Sequence, residues 1–288
     1  MQDVRNGFTS GAVRVLLGAA VLFGGGVHAG AAGAGEAAVA RALRDALQGT
    51  QASAVVLNPE TGAVLASVGE MRRGNPGSTV KPLLLAYALE HGIVRPEMEV
   101  YCRRNLHVGG RALPCTHPAD LPVFTAESAL AESCNTWFAE MGRRFTAPEL
   151  EEALTETHLP HASMATANVE QRQLAVLGLA GVSATPLELA NAFREMFLRM
   201  ATNGVVARGL EDSVKFGMTN PAAVQGARIL GKTGTASDAG QAWTHGWFAG
   251  EVPGRVLIVV YVPRGDGGSA ARLAQRFFRV VAGEGRPR

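Results

Sequence analysis

Two β-rich stretches near the start of the chain, 53–58 (SAVVLN) and 63–69 (AVLASVG), are answered by three more near its end, at 228–236, 243–250 and 255–262. The signals between them are mainly helical, at 78–91, 125–142, 147–155 and 186–202. A lone hairpin is barely stable in water, so the early pair must join the late three in one sheet. Pro59-Glu60-Thr61-Gly62 has turn chemistry and makes the first pair a hairpin, and Gly- and Pro-bearing turns link the last three. Both ends also offer a cover for that sheet. Residues 36–48 place Val39, Leu43 and Leu47 on one helical face, and 269–282 do the same with Leu273, Ala274, Phe277, Phe278 and Val281. The expected fold is α+β: an antiparallel sheet of about five strands flanked by terminal helices, with an all-helical lobe inserted between the second and third strands.

With 47% hydrophobic and 18% charged residues, the 288-residue chain is neither disordered nor short of core. A net charge of +2 leaves no basic footprint for nucleic acid, and none is expected as a partner. The 27 basic residues include only three lysines, Lys81, Lys215 and Lys232, the rest being arginine. Where arginine serves almost everywhere, a retained lysine asks what arginine could not do there.

Arg5 and Arg14 precede an uncharged run, 15–27 (VLLGAAVLFGGGV), too short to span a bilayer but suited to a signal-peptide core. Val27-His28-Ala29 offers small residues for cleavage after Ala29, so residues 1–29 are expected to be a signal peptide, or else an uncleaved anchor. Residues 30–49 form a segment with the amphipathic helix, and 50–285 form the main domain. Either reading exports the chain to the periplasm or the outer face of the cytoplasmic membrane. In an oxidising compartment Cys102 and Cys115, flanking a segment that Gly109-Gly110 can turn back, are disulfide candidates, with two free buried thiols as the alternative. Cys134 is left over. The seven histidines are dispersed, without metal-ligand spacing, and neither a metal nor another cofactor is expected.

Three short constellations carry chemistry, and two of the lysines fall in them. In Pro76-Gly77-Ser78-Thr79-Val80-Lys81 a turn leads into a helix, and one turn brings the Lys81 amine beside the Ser78 hydroxyl. An amine whose pKa is lowered by burial and neighbouring charge can take that proton, which arginine cannot. A capping serine and a solvated lysine would explain the same spacing. Ser133-Cys134-Asn135 is expected on a helix and means nothing alone. Lys232-Thr233-Gly234-Thr235 is expected on a strand. There the lysine supplies a compact charge for a carboxylate, the threonines supply hydroxyls, and Gly234 leaves room for a substrate backbone along the edge.

In this order the three match the Ser-x-x-Lys, Ser-x-Asn and Lys-Thr-Gly signature of penicillin-recognising serine enzymes. The chain resembles the penicillin-binding transpeptidase family over roughly residues 50–283, from the opening hairpin SAVVLNPETGAVLASVG through NPGSTVKPLLLAYALEHG and ALAESCNTWFAEMG to ILGKTGTA and HGWFAGEVP. The resemblance implies that Ser78 attacks a D-Ala-D-Ala stem peptide to form an acyl-enzyme, with Lys81 as general base. It implies that Ser133 relays a proton, Asn135 holds Lys81 and the substrate amide, and Lys232 favours a neutral Lys81. Thr233 and Thr235 would bind the terminal carboxylate, and the N–H groups of Ser78 and Thr235 would form an oxyanion hole. The implied partners are peptidoglycan stem peptides, β-lactams as inhibitors, and a separate cell-wall polymerase or scaffold.

The pattern also departs from larger relatives. Only some 20 to 50 residues precede the first strand, so neither a glycosyltransferase nor a pedestal domain is expected. The same fold supports a D,D-carboxypeptidase or a β-lactamase. Glu188-Leu189-Ala190-Asn191 superficially suggests the water-activating element of the latter, but it falls in a helix opened by Thr185-Pro186, and a structural role is expected. A β-lactam or muropeptide sensor, or a non-catalytic binding module, would carry degraded motifs, whereas all three are intact.

Overall fold

The structure, a computed structural model, describes residues 28–283 apart from 119, 121, 202 and 203, with the backbone alone described for 28–34. The expected signal-peptide core therefore lies outside the described residues. The five-stranded sheet contains β1 (Ser53–Leu57), β2 (Val64–Val68), β7 (Leu230–Ala236), β8 (His245–Val252) and β9 (Val256–Val262). Its spatial order is β2-β1-β9-β8-β7, antiparallel throughout, with Val55 opposite Val259 and Gly234 opposite Trp247. The early hairpin thus joins the late strands through β1 and β9, as the distribution of strands requires.

Both faces of this sheet are covered, and the period-2 alternation of side chains sorts them into two cores. Ala54, Val56, Ile258, Val260 and Phe248 pack with α1 (His28–Leu47) and α9 (Gly267–Gly283), where Leu43, Phe277 and Phe278 are buried. Val55, Leu57, Leu257, Val259, Trp247 and Ala249 face the other way, toward the inserted lobe. Lys232 lies two residues from Leu230, which belongs to that second core, so it shares its face.

The inserted lobe is built from α2 (Lys81–Glu90), α3 (Ala126–Ala131), α4 (Asn135–Arg144), α5 (Ala147–Glu156), α6 (Val169–Val176), α7 (Pro186–Arg199) and α8 (Val205–Lys215). Reciprocal side-chain caps start α5 (Thr146 with Glu149), α6 (Asn168 with Gln171) and α7 (Thr185 with Glu188), each satisfying N–H groups that a helix start leaves free. The lobe is not entirely helical. Two two-stranded ribbons interrupt it, β3 (Val100–Tyr101) with β6 (Val123–Phe124) and β4 (Asn105–Val108) with β5 (Arg111–Pro114). Gly109 and Gly110, at φ +56° and +72°, supply the left-handed turn that closes the β4–β5 ribbon.

Two helices escaped the sequence reading. In α8, Val206, Ala207, Leu210 and Val214 are buried, but Gly209 interrupts the stripe. That glycine is needed for close approach to α3: a Cβ there would sit 3.0 Å from the Glu127 carbonyl and the Leu130 side chain. The short α6 has almost no polar–apolar sidedness in its sequence, VEQRQLAV, so periodicity gives no signal. Among the described residues no helix is long and apolar enough to cross a membrane.

Candidate active site

The Pro-Gly turn before Ser78 is held from several sides. Asn75 donates its N–H to Asp238 Oδ1 at 3.0 Å, and its carbonyl accepts from Trp247 Nε1 at 2.9 Å. The His245 ring Nε2 lies 2.8 Å from the same carbonyl. Gly77, at φ +55°, donates to the Gly178 carbonyl at 2.9 Å. The segment Gly77–Val80 is a single 3₁₀ turn, and Lys81 opens α2. Three residues per turn eclipse positions i and i+3, so the half-buried Ser78 and Lys81 lie on one side of it.

This turn is pressed against β7, an edge of the sheet. A Cβ on Gly234 would lie 2.4 Å from the Pro76 carbonyl and 3.1 Å from the Thr79 nitrogen, and one on Gly77 would lie 2.7 Å from the Thr235 carbonyl. Gly234 therefore admits the turn that carries Ser78.

Ser133 sits in a break and not on a helix as the sequence suggests. Its φ of +53° separates α3 from α4, a conformation serine seldom adopts. The break frees its carbonyl from any helical ladder, and that carbonyl accepts from Lys81 Nζ at 3.0 Å. Lys81 Nζ also donates to Asn135 Oδ1 at 2.8 Å and to Ser133 Oγ at 3.3 Å. From the other side Lys232 Nζ donates to Ser133 Oγ at 2.9 Å and to the Thr233 carbonyl at 3.0 Å. One hydroxyl thus stands between two fully buried amines.

Burial drives both lysines toward neutrality. It lowers Lys81 to about 8 against the opposing pull of Cys134 and Cys115. Lys232 is pushed well below the ordinary range by burial and then by the charge of Lys81, with Glu132 opposing. A hydroxyl donates one proton and accepts others. It can accept from Lys232 while exchanging a proton with Lys81.

The remaining residues of the third motif diverge. Thr235 is exposed, and its Oγ1 accepts from the Gly267 N–H at 2.9 Å. Thr233 is only 7% exposed and belongs to a hydroxyl chain absent from the sequence reading. Ser213 Oγ donates to Thr219 Oγ1 at 2.7 Å, and Thr219 Oγ1 accepts the Thr233 N–H at 3.2 Å and lies 3.4 Å from Thr233 Oγ1. The Thr233 N–H therefore points off the outer edge of β7, and by the period-2 alternation so does that of Thr235.

Glu188 has the structural place expected of it. Its carboxylate accepts the Thr185 N–H at 2.8 Å in the cap of α7 and pairs with Arg73 at 2.6 Å. Lys215 is a surface residue, 60% exposed and paired with Glu211 at 2.6 Å.

The cysteines depart from expectation. All three are buried free thiols, and the expected Cys102–Cys115 bond is not formed. Cys134 lies between Ser133 and Asn135, and its sulfur is 3.9 Å from that of Cys115. His117 joins them: its Nε2 lies 3.3 Å from Cys102 Sγ, and all four donor atoms fall within 4.8 Å of one another. The sequence hides this group because its members are spread over loops that only the fold brings together.

Comparison with known proteins agrees with the geometry. The penicillin-binding protein transpeptidase domain matches over residues 52–281. No match is found among curated proteins. Among solved structures, the D,D-transpeptidase domain of a peptidoglycan glycosyltransferase from Eggerthella lenta is similar at a TM-score of 0.73 and 20% identity, covering 86% of this chain and 82% of that one. The transpeptidase domain of penicillin-binding protein 3 from Burkholderia pseudomallei reaches 0.72 at 18% identity, covering 88% and 93%. Penicillin-binding protein 2 from Pseudomonas aeruginosa, in complex with WCK 5153, reaches 0.70 at 17% identity, covering 85% and 74%. At such identities the structures speak for the fold, while the sequence match spans nearly all of the main domain. The chain belongs to the penicillin-binding protein transpeptidase domain family.

Proposed function

We propose that this protein is a serine D,D-transpeptidase that cross-links peptidoglycan stem peptides through an acyl-enzyme at Ser78, on the outer side of the cytoplasmic membrane. The observation that carries the reading is the hydrogen-bonded series Lys81–Ser133–Lys232 behind a serine that heads a rigid turn. Neutral Lys81 keeps two N–H bonds, to the Ser133 carbonyl and Asn135 Oδ1, which are its shorter contacts. Its lone pair is then available to the Ser78 proton.

As Ser78 Oγ bonds to the carbonyl carbon of the penultimate D-Ala, that proton passes to Lys81. The developing oxyanion lies against the N–H of Thr235, on the free edge of β7, and that of Ser78, at the head of its turn where helix starts leave N–H groups unpaired. When the tetrahedral species collapses, the C–N bond to the terminal D-Ala breaks, and Ser133 passes a proton from Lys81 to the leaving amine. Lys232 keeps the Ser133 hydroxyl oriented throughout. Thr235, open to solvent, and Thr233, aligned by Thr219, hold the terminal carboxylate, and the amine of a neighbouring stem then takes the acyl group. β-Lactams acylate Ser78 in place of the peptide.

The test is labelling of the purified chain with a fluorescent penicillin. Label that persists in the wild type and vanishes in Ser78→Ala supports the reading. Rapid loss of the label marks a β-lactamase, and absence of any label from folded wild type overturns it. A D-Ala-D-Ala peptide with and without an amine acceptor then separates transfer from a D,D-carboxypeptidase, which releases D-Ala without forming the cross-linked product.

A further inference from the structure

We propose that Cys102, Cys115, His117 and Cys134 form a tetrahedral Zn²⁺ site that fixes the second motif against the ribbons of the inserted lobe. All four donors are buried and converge on one point, from three separate places in the chain. Cys102 follows β3, Cys115 and His117 follow β5, and Cys134 is the N-cap of α4.

The distances suit a metal. Zn–S bonds of about 2.3 Å and Zn–N bonds of about 2.0 Å put tetrahedral S···S edges near 3.8 Å and S···N edges near 3.5 Å. Cys115 and Cys134 lie 3.9 Å apart, Cys102 and His117 3.3 Å, and the whole set within 4.8 Å. A cation at the centre requires sulfur movements of under about 1 Å. A disulfide would use two of the sulfurs and strand the third beside a histidine. A cation uses all four donors and satisfies the coordination number of a structural zinc site.

The surroundings match as well. His117 Nδ1 lies 2.9 Å from the Pro118 carbonyl, a contact that places the hydrogen on Nδ1 and turns the bare Nε2 toward the thiols. This is how metal-ligating histidines are held. Thr136 Oγ1 lies 3.4 Å from Cys102 Sγ and 3.8 Å from Cys115 Sγ, placed to donate to thiolates. Three thiolates and Zn²⁺ carry one net negative charge, the thiol protons passing to solvent. Three thiolates with one imidazole favour a borderline-soft tetrahedral ion over Mg²⁺ or Ca²⁺, which need oxygen donors.

The lobe has reason to need a clamp. Strands β4 and β5 bury only Val108 and β3 and β6 are two residues each, so this region has little core of its own. Binding energy at a metal site of this kind is folding energy. Because Cys134 stands between Ser133 and Asn135, the same ion would fix the backbone that presents both to Lys81. Its ligands thus act as positioning residues.

The test measures metal on the full chain, purified without a metal-binding tag and with zinc resupplied under reducing conditions. One zinc per chain is expected by elemental analysis. Co²⁺ substitution should give the thiolate charge-transfer and intense visible bands of a tetrahedral centre. Cys102→Ser and His117→Ala should each retain less than one-tenth of the metal. Thr136→Val, which leaves every ligand in place, should weaken zinc binding roughly 10- to 100-fold. Ser78→Ala should keep the full complement. Folded wild-type protein with three alkylatable thiols and no stoichiometric zinc overturns the proposal. So does a Cys102–Cys115 disulfide in the freshly isolated chain, or full metal retention in both ligand variants.

Discussion

Gly234→Ala tests the seating on β7 of the turn that carries Ser78. The added Cβ would lie 2.4 Å from the Pro76 carbonyl oxygen and 3.0–3.1 Å from the Thr79 Cγ2 and nitrogen. Ordinary contact begins near 3.4 Å, so the turn carrying Ser78 must move off the strand by about 1 Å. The obstacle is backbone, and no side-chain rotation relieves it. Overpacking of this kind costs about 1–3 kcal/mol, a few degrees in Tm for a domain of this size. A 1 Å displacement of a reacting group costs about 100-fold in rate, or about 2.7 kcal/mol in barrier. The assay is the second-order rate of acylation by a fluorescent penicillin, read beside a thermal melt. The expected result is a melt lowered by a few degrees with acylation slowed about 100-fold. Gly283→Ala, whose Cβ would meet nothing within 4 Å, should change neither. A folded Gly234→Ala protein acylated within about threefold of the wild-type rate would refute the claim that contact with β7 fixes the serine.

The remaining predictions concern charge and packing. With Lys81 lowered to about 8, acylation should rise with pH through about 8 and level above it, and Lys81→Arg should be inactive at every pH. Because the unfolded chain takes up this proton near 10.4 and the native state only near 8, the lysine alone costs about 3 kcal/mol of stability as pH falls between those values. Urea midpoints at pH 8 and 10.5, compared with those of Lys81→Met, read that difference. Glu188→Gln should leave the lifetime of the acyl-enzyme within about twofold of wild type, because the side chain is a cap paired with Arg73; a much longer lifetime would make Glu188 a deacylating base. Phe277→Ala, at a fully buried position against Phe278 and on the far face of the sheet from Lys232, should cost about 3–5 kcal/mol by denaturant unfolding.

What the sequence could say about this fold follows from where its signals are local. SAVVL and VLIVVYV are strands on composition alone, and both end up buried on two faces. Ser78 and Lys81 are one turn apart, so their place on one side of that turn is legible from spacing alone. Ser133 reads as helical from sequence because nothing in LAESCNTW marks a left-handed serine. The lysines that its hydroxyl meets lie 52 and 99 residues away in the chain. Thr219 and Asn75 carry no local signal for the same reason: each matters through partners more than ten residues away, Thr233 for one, Trp247 and His245 for the other. His117 and the cysteines show the limit most clearly. As spacing, Cys102 and Cys115 suggest a loop staple and leave Cys134 and His117 out, and only the fold brings all four into one cluster.

The strand order has a consequence for how the chain reaches its native state. β1 is among the first elements in the chain, yet one of its two neighbours is β9, with Val55 and Val259 paired roughly 200 residues apart. Until that last strand exists, the opening hairpin has one open edge made of SAVVL, a short apolar segment of the kind that pairs with strangers. The lobe between them can condense on its own helices in the meantime, but closure of the sheet waits for Val256–Val262. A nascent chain stopped before residue 256 would keep Ser78, Lys81, Ser133 and Lys232 and still lack the strand that ties β8 and β7 to β1. Such a chain would leave the β1 edge unpaired until β9 arrives.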